Sequence, residues 1–551
     1  MMRTTRYLLA LSLVGLAALC LLPPTAPYTR WKVQSLMRFR GGAPNYYKHA
    51  SGTGGVEANL QERLSQLREQ FKADFALQWA IASAEGASNQ ARLRERLLQL
   101  QRQFPNRPEV YASLLRNEMR SFPIGRVEEV RYAGGSTPVR PANPTAVQRV
   151  LEWARRGEQH DPDNAFFLGI QVRALLAQRR DAEAVEVLRR AAQCARWEDY
   201  TGAEAEAAVQ LQRLLRNARS SELDLAITTT ILFPHLATER SIARILSTIA
   251  WELEQQGRYR DALEIRMALA GYAQKITESS GILRRLVGIA VLQIATASPR
   301  TAKTQSGEQR QILAQLERNG FHKEAAWLRA ELQRGETMRN LIGQAMPVFY
   351  DNHIIGSMRR YYAQLLAILA MLGVALQMGG QWLLIGFLRS ARVGIFALLG
   401  GMLGLWAVSA ILFVLSNASA LMALLLPSIH VAEQVMGREG ASALPALSPD
   451  FLRWVMPASV AGVGLLMLSF AVVFAVFRCS DSPERTLKEL HTVLGVMLVI
   501  LLVGLNLLLL WNWRVDLQLE QFAWGLRHDE VGMAMRLSGL ESRMPAPTPM
   551  P

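Results

Sequence analysis

The chain has 551 residues, 61 Lys and Arg against 46 Asp and Glu, and a formal charge of +15, and half of its residues are apolar. A disordered basic tail is not half apolar, and a compact permease does not carry 19% charged residues. The averages describe two regions in different solvents, within a length that holds several domains.

Arginine supplies most of the positive charge, 54 residues against seven lysines. Guanidinium forks suit phosphate and carboxylate, although a nucleotide-composition bias accounts for the excess more simply. Cys20, Cys194 and Cys479 lie far apart without a CxxC pair, so they make neither a disulfide framework nor a zinc site.

In chain order, Arg3 and Arg6 precede an apolar run, Tyr7–Leu22, closed by Pro23-Pro24. This reads as a signal anchor over residues 1–24, with a cleaved signal peptide as the alternative. Pro27 follows Ala26, and Leu19 stands before Cys20 where a lipobox wants a small residue, so no clear cleavage site is present. Either reading exports the region beyond it. Residues 25–56, with Gly41-Gly42-Ala43-Pro44 and Ser51–Gly55, form a linker.

From 57 to 345 the composition turns helical. Leu60, Leu64 and Leu67 sit at i, i+4 and i+7, Ala, Arg, Glu, Gln and Leu dominate, and no run alternates β-branched residues. The expectation is all-α.

Within this region three segments are alike. One opens at Asp161-Pro162 and continues through Leu168, Leu175, Ala184, Leu188 and Ala191. The second runs through Leu246, Ala250, Leu253, Gly257, Tyr259, Ala262 and Leu269. The third runs through Leu316, Gly320, Phe321, Ala325 and Leu332. Gly257 and Gly320 permit a tight turn between two helices, and Ala184, Ala262 and Ala325 let those helices approach closely. These segments resemble tetratricopeptide repeats, helix–turn–helix units of 34 residues. The spacings between the alanines, 78 and 63 residues, require insertions or degenerate units. The resemblance spans roughly residues 90–335 and implies a helical solenoid whose groove binds a protein or peptide.

A short linker, 346–360, leads to four apolar segments, about Tyr361–Leu388, Val393–Leu415, Trp454–Phe477 and Leu490–Trp511, forming a transmembrane domain over 361–513. Arg389 and Arg392 in one short link, and Arg478, Arg485 and Lys488 in another, place both links on the cytoplasmic side. The loop 416–453, the helical domain and the tail 514–551 then lie outside. Gly400-x-x-x-Gly404 and Ala458-x-x-x-Gly462 offer small faces for helix packing. Asn506 stands in the last segment as an interhelical hydrogen-bonding residue. In the tail, Phe522, Leu526, Met533, Leu537 and Leu540 form an apolar stripe, and Pro545–Pro551 reads as disordered.

Catalytic signals are missing. No His-Glu-x-x-His and no phosphate-binding Gly-Lys-Ser/Thr loop occurs, His353, His430 and His528 have no ligand spacing, and the middles of the four apolar segments carry no ionisable residue. No catalytic, cofactor-binding or metal residue is assigned, and no cofactor is called for.

The reading is a membrane-anchored scaffold in the bacterial inner membrane. It is multi-pass, with its large domain extracytoplasmic and holding a protein or peptide partner. One alternative is a subunit of an envelope export or polymer-assembly machine handling an anionic polymer; the other is a transporter or membrane enzyme of unrecognised class. Residues 31–360 carry 47 basic and 35 acidic residues, net +12. That excess points to lipid headgroups, acidic polymers, acidic proteins or other membrane subunits as neighbours, and away from nucleic acid.

Overall fold

The computed structural model describes residues 2–30, 32, 58–86, 89–119, 122–132, 141–217, 219–229, 236–299, 305–357, 360, 361, part of 364–385, and 483–550. Among the described residues the regular structure is helical and no β-strand occurs; the fold is all-α. The apolar segments Val393–Leu415 and Trp454–Phe477, the loop 416–453, His430 and Cys479 lie outside the described residues.

The helices in chain order are α1 (Met2–Leu21), α2 (Ala58–Gln70), α3 (Phe75–Gly86), α4 (Gln90–Gln103), α5 (Pro108–Met119), α6 (Val127–Tyr132), α7 (Pro144–His160), α8 (Ala165–Ala177) and α9 (Asp181–Gln193). They continue as α10 (Thr201–Arg216), α11 (Ser221–Thr229), α12 (Leu236–Gln255), α13 (Tyr259–Thr277), α14 (Ile282–Ala295), α15 (Gln305–Arg318), α16 (His322–Met346), α17 (Pro483–His528) and α18 (Glu530–Leu537). The chain forms two compact units. One comprises residues 1–48, 212–230 and 352–523, the other 49–211, 231–351 and 524–551.

In the larger unit, helices pack on their neighbours in succession, α3 on α4, α7 on α8, α8 on α9, α9 on α13, α13 on α14, and α15 on α16. Local chemistry marks the boundaries. Asn89, Asn143 and Asn164 cap α4, α7 and α8, each accepting from free N–H groups of the first turn. Asp161 closes α7, so the Asp161-Pro162 pair separates two helices as its sequence suggests.

Three hairpins, α8–α9, α12–α13 and α15–α16, share one turn. Its apex residue has positive φ: Arg179 at 59°, Gly257 at 78° and Gly320 at 86°. In each, the next N–H reaches back five residues to a carbonyl. Arg180 N–H bonds Leu175 O (3.0 Å), Arg258 N–H bonds Leu253 O (2.9 Å) and Phe321 N–H bonds Leu316 O (3.0 Å). This is the Schellman closure of a helix C-terminus. Five residues beyond each apex stand Ala184, Ala262 and Ala325, all fully buried. A side chain no larger than methyl lets the two helices of the hairpin approach at that point.

Arginine fills the interior as well as the surface. Arg266 is completely buried, paired in two-pronged fashion with Glu254 (2.7 and 3.1 Å), and donates to the carbonyl of Ala295, the last residue of α14 (2.5 Å). Arg126 holds both Glu128 (2.9 and 2.8 Å) and Asp181 (2.7 and 3.1 Å). Such forks satisfy several buried donors at once, which a lysine cannot do.

In the smaller unit, the described helical residues between 361 and 385 and the first half of α17 share a core. Ile368, Val374, Ala375, Met378 and Ile385 pack with Leu490, Leu494, Leu498, Leu501, Leu502 and Leu505, and Leu9 and Leu16 of α1 pack against them. Asn506 donates to the Ser12 carbonyl of α1 (3.1 Å) as well as to Leu502 O one turn back (2.8 Å), an interhelical hydrogen bond at the position the sequence singles out. Gly15 faces the Asn506 amide, leaving room for it. Further along α17, Lys32 and Asp516 form a buried ion pair (2.6 Å) to which Ser221 adds a hydroxyl (3.3 Å).

Helix α17 runs for 46 residues, about 69 Å at 1.5 Å per residue. Among the described residues it is the one helix long and apolar enough to cross a membrane. From Ile500 to Trp511 its outward residues are apolar, with Ile500, Val503, Leu507, Leu510 and Trp511 exposed, as are Tyr7, Leu8, Leu11 and Val14 of α1.

The expected tail stripe is redrawn. Asp529 breaks the helix and caps α18 through Gly532 N–H (2.9 Å), so a 3.6-residue period does not run through from Phe522 to Leu540. The buried face of α18 is instead Val531, Gly532, Ala534 and Met535, with Leu537 turned outward.

Candidate peptide-binding site

The segment 541–550 comes after α18, which is itself firmly seated. Val531 N–H bonds Ser280 O (3.0 Å). The Glu530 carboxylate accepts from Ile282 N–H (2.8 Å) and Tyr350 Oη–H (2.6 Å). Burial raises the Glu530 carboxyl above its ordinary value, and the two donors pull it back. Beyond α18, Gly539 at φ 69° and a short 3₁₀ turn, Glu541–Arg543, lead into Met544-Pro545-Ala546-Pro547-Thr548-Pro549-Met550.

This run reads as disordered in the sequence, yet it lies against α13 and α16. Prolines at every second position already restrict the backbone, so little further entropy is lost on docking. They also remove N–H groups, leaving only Ala546, Thr548 and Met550 able to donate from residues 545–550.

The docking centres on the backbone of Thr548. Its carbonyl accepts from the Gln274 side-chain amide (2.8 Å) and from the Trp327 indole N–H (3.3 Å), and its N–H donates to a Glu331 carboxylate oxygen (3.1 Å). Gln274 comes from α13, and Trp327 and Glu331 come from one face of α16, four residues apart. All three are buried. Glu331 is held in turn by Arg334 (2.9 Å), itself buried.

Two residues further on, the Met550 thioether rests over Gly271, one turn from Gln274 on α13. A Cβ at Gly271 would come within 3.0 Å of the Met550 sulfur and 2.8 Å of the Ala192 Cβ. Gly271 and Ala192 thus form a shallow hole for an unbranched apolar side chain. Pro547 and Pro549 face outward. The seat thus holds one residue through both its backbone groups and a second through its side chain.

Behind the site, the domain interior carries a buried polar chain. Trp197 Nε1–H donates to Tyr272 Oη (3.2 Å), and Tyr272 Oη–H donates to Glu239 Oε2 (2.8 Å). Tyr272 lies one residue after Gly271, and its hydroxyl sits so close against Gly169 that a Cβ there would collide with it. Burial pushes the Glu239 carboxyl up to about 7, with the Tyr272 hydrogen bond and the Arg173 charge opposing that rise. Its second oxygen has no hydrogen-bond partner among the described residues.

Of the residues singled out from the sequence, Ala262 and Ala325 position the two helices that carry the site. None of the four contact residues, Gly271, Gln274, Trp327 and Glu331, stands out in the sequence. Among the histidines, His353 lies beside Phe522 and His528 stacks on Trp524 (4.8 Å between ring centres). Cys194 is buried, and burial raises its thiol above the ordinary value. No family model, curated protein or solved structure matches this chain.

Proposed function

We propose that the chain is a membrane-anchored scaffold whose helical domain is a tetratricopeptide-like solenoid that holds a protein or peptide partner. The observation that carries this reading is the seat on α13 and α16, where buried Gln274, Trp327 and Glu331 bind both backbone groups of one residue in an extended segment. Side chains that turn polar ends toward a backbone, instead of satisfying one another, are equipped for a peptide. Three hairpins with one shared turn and an alanine five residues later support the repeat reading.

The membrane half of the proposal keeps residues 1–24 as a signal anchor and 361–513 as a four-span domain. The chain is placed in a bacterial inner membrane with the helical domain outside. Two features support it. Helix α1 and the stretch of α17 from Leu494 to Trp511 bury apolar side chains on one face and expose apolar side chains on the other, as lipid requires. Arg389, Arg392, Arg478, Arg485 and Lys488 collect in the two short links assigned to the cytoplasm.

Two measurements test the proposal. A photo-crosslinking amino acid at exposed position 323, one turn before Trp327 on α16, should trap one defined protein in native membranes when the full chain also carries Thr548→Pro to free the seat of its own tail. A Gln274→Met variant should trap it several-fold less. A membrane-impermeant thiol reagent should reach Cys194 on unfolding in sealed cells and spare Cys479. Crosslinking that yields only lipid and self-adducts, or labelling of Cys479 alone, would refute the scaffold.

A further inference from the structure

Resting on the scaffold reading, we infer that the partner's docking segment has the form Pro-x-Pro-Φ, with Φ an unbranched apolar residue, and that segment 544–550 is a built-in competitor for the same seat. The tail supplies the template. At Thr548 the seat binds only the carbonyl and the N–H, so residue x is free in side chain but must possess an N–H. A proline at x would remove the donor to Glu331 and leave a buried carboxylate oxygen without it.

The flanking prolines have a different part. Pro547 and Pro549 are exposed, so their rings are not what the seat recognises. They fix φ and hold the chain extended between the backbone clamp at x and the hole that takes the side chain of x+2. They also lack N–H groups, so no backbone donor is stranded on either side of the clamp. An ordinary extended peptide would lose more backbone freedom on docking.

The side-chain requirement comes from the hole over Gly271. Its floor is Ala192, and any side chain at Gly271 would fill it. Methionine is thin and flexible enough to enter between two packed helices, and a β-branched residue is not. Met550 remains partly exposed at 41%, so the hole contributes selectivity at one position and no deep burial.

Competition is a consequence of the tether. Thr548 is nine residues beyond Gly539, which lies just past the docked α18. A segment held that close to its seat acts at an effective concentration of order millimolar. A partner peptide in solution therefore binds with its intrinsic affinity multiplied by the fraction of seats the tail leaves free. Release of the tail is the step that makes the seat available.

The test is fluorescence anisotropy with a labelled synthetic heptapeptide, Met-Pro-Ala-Pro-Thr-Pro-Met, titrated with the full chain in nanodiscs. Wild type should bind it weakly. Thr548→Pro, which strips the tail of its one clamped N–H, should bind the peptide at least tenfold more tightly, and Met550→Asp should act in the same direction. Adding Gln274→Met and Trp327→Phe to the Thr548→Pro chain should lower affinity again by about tenfold. A peptide with proline in place of threonine should not bind.

Equal binding by wild type and both tail variants would overturn the competitor assignment. Equal binding of the proline-substituted peptide would overturn the ligand class. The scaffold reading is judged separately. If crosslinking from position 323 traps its defined protein and no heptapeptide displaces it from the Thr548→Pro chain, the ligand class is wrong and the scaffold stands.

Discussion

The buried carboxyl of Glu239 predicts a distinctive pH dependence of stability. In the folded chain it titrates near 7, against an ordinary 4.5, because burial penalises its charge more than Tyr272 and Arg173 compensate. Between these values the folded state retains a proton that the unfolded state has released. Folding stability therefore falls as pH rises through this window. At 1.36 kcal/mol per tenfold change in proton affinity, the group removes roughly 3 kcal/mol between pH 4.5 and 8. Glu239→Gln keeps an acceptor for Tyr272 and cannot ionise.

Urea unfolding of both chains in detergent, followed by circular dichroism at several pH values, isolates the effect, because every other titrating group cancels in the difference. The variant's stability relative to wild type should rise by roughly 3 kcal/mol from pH 4.5 to 8, most of it between 4.5 and 7 and half of it by about pH 6, levelling off above 7. Any constant offset from the extra amide N–H leaves that change untouched. A difference that stays flat with pH, or that moves in the opposite direction, refutes the argument.

Two further substitutions probe how the helical unit is held together. Arg266→Met leaves Glu254 buried without its guanidinium and uncaps the Ala295 carbonyl, so it should cost roughly 3–5 kcal/mol in the same urea assay. Adding Glu254→Gln should recover a large part of that loss. Arg179→Gly relieves a left-handed backbone conformation at an exposed hairpin apex and should stabilise the unit by about 1 kcal/mol, measured as a shift in urea midpoint at constant slope.

The all-α character and two of the three shared turns are legible in the sequence, because each rests on local chemistry. Glycine at 257 and 320 announces a left-handed apex, and alanine five residues later announces a close crossing. The third apex is hidden because Arg179 adopts the same conformation without being glycine. Its hairpin is marked by Asp161-Pro162 and Ala184 instead.

The seat for Thr548 is not legible for a different reason. Gln274, Trp327 and Glu331 are drawn from two helices and meet a residue more than 200 positions away, and the residue they bind contributes only its backbone. No side-chain motif records such a contact. The proline alternation that reads as disorder is, once packed, what pre-shapes the segment. The arginines mislead similarly. In composition they are surface charge, whereas Arg126 and Arg266 are buried clamps whose carboxylate partners lie 2 to 55 residues away.

The central claim, that the face of α13 and α16 holds a peptide through one residue's backbone, is tested most directly by hydrogen exchange of segment 544–550 in the intact chain. Only Ala546, Thr548 and Met550 carry exchangeable backbone amides between 545 and 550. One slow amide, Thr548, is expected beside a freely exchanging Ala546, with that protection lost in Trp327→Phe with Gln274→Met. Exchange of all three at the rate of a free peptide would contradict it.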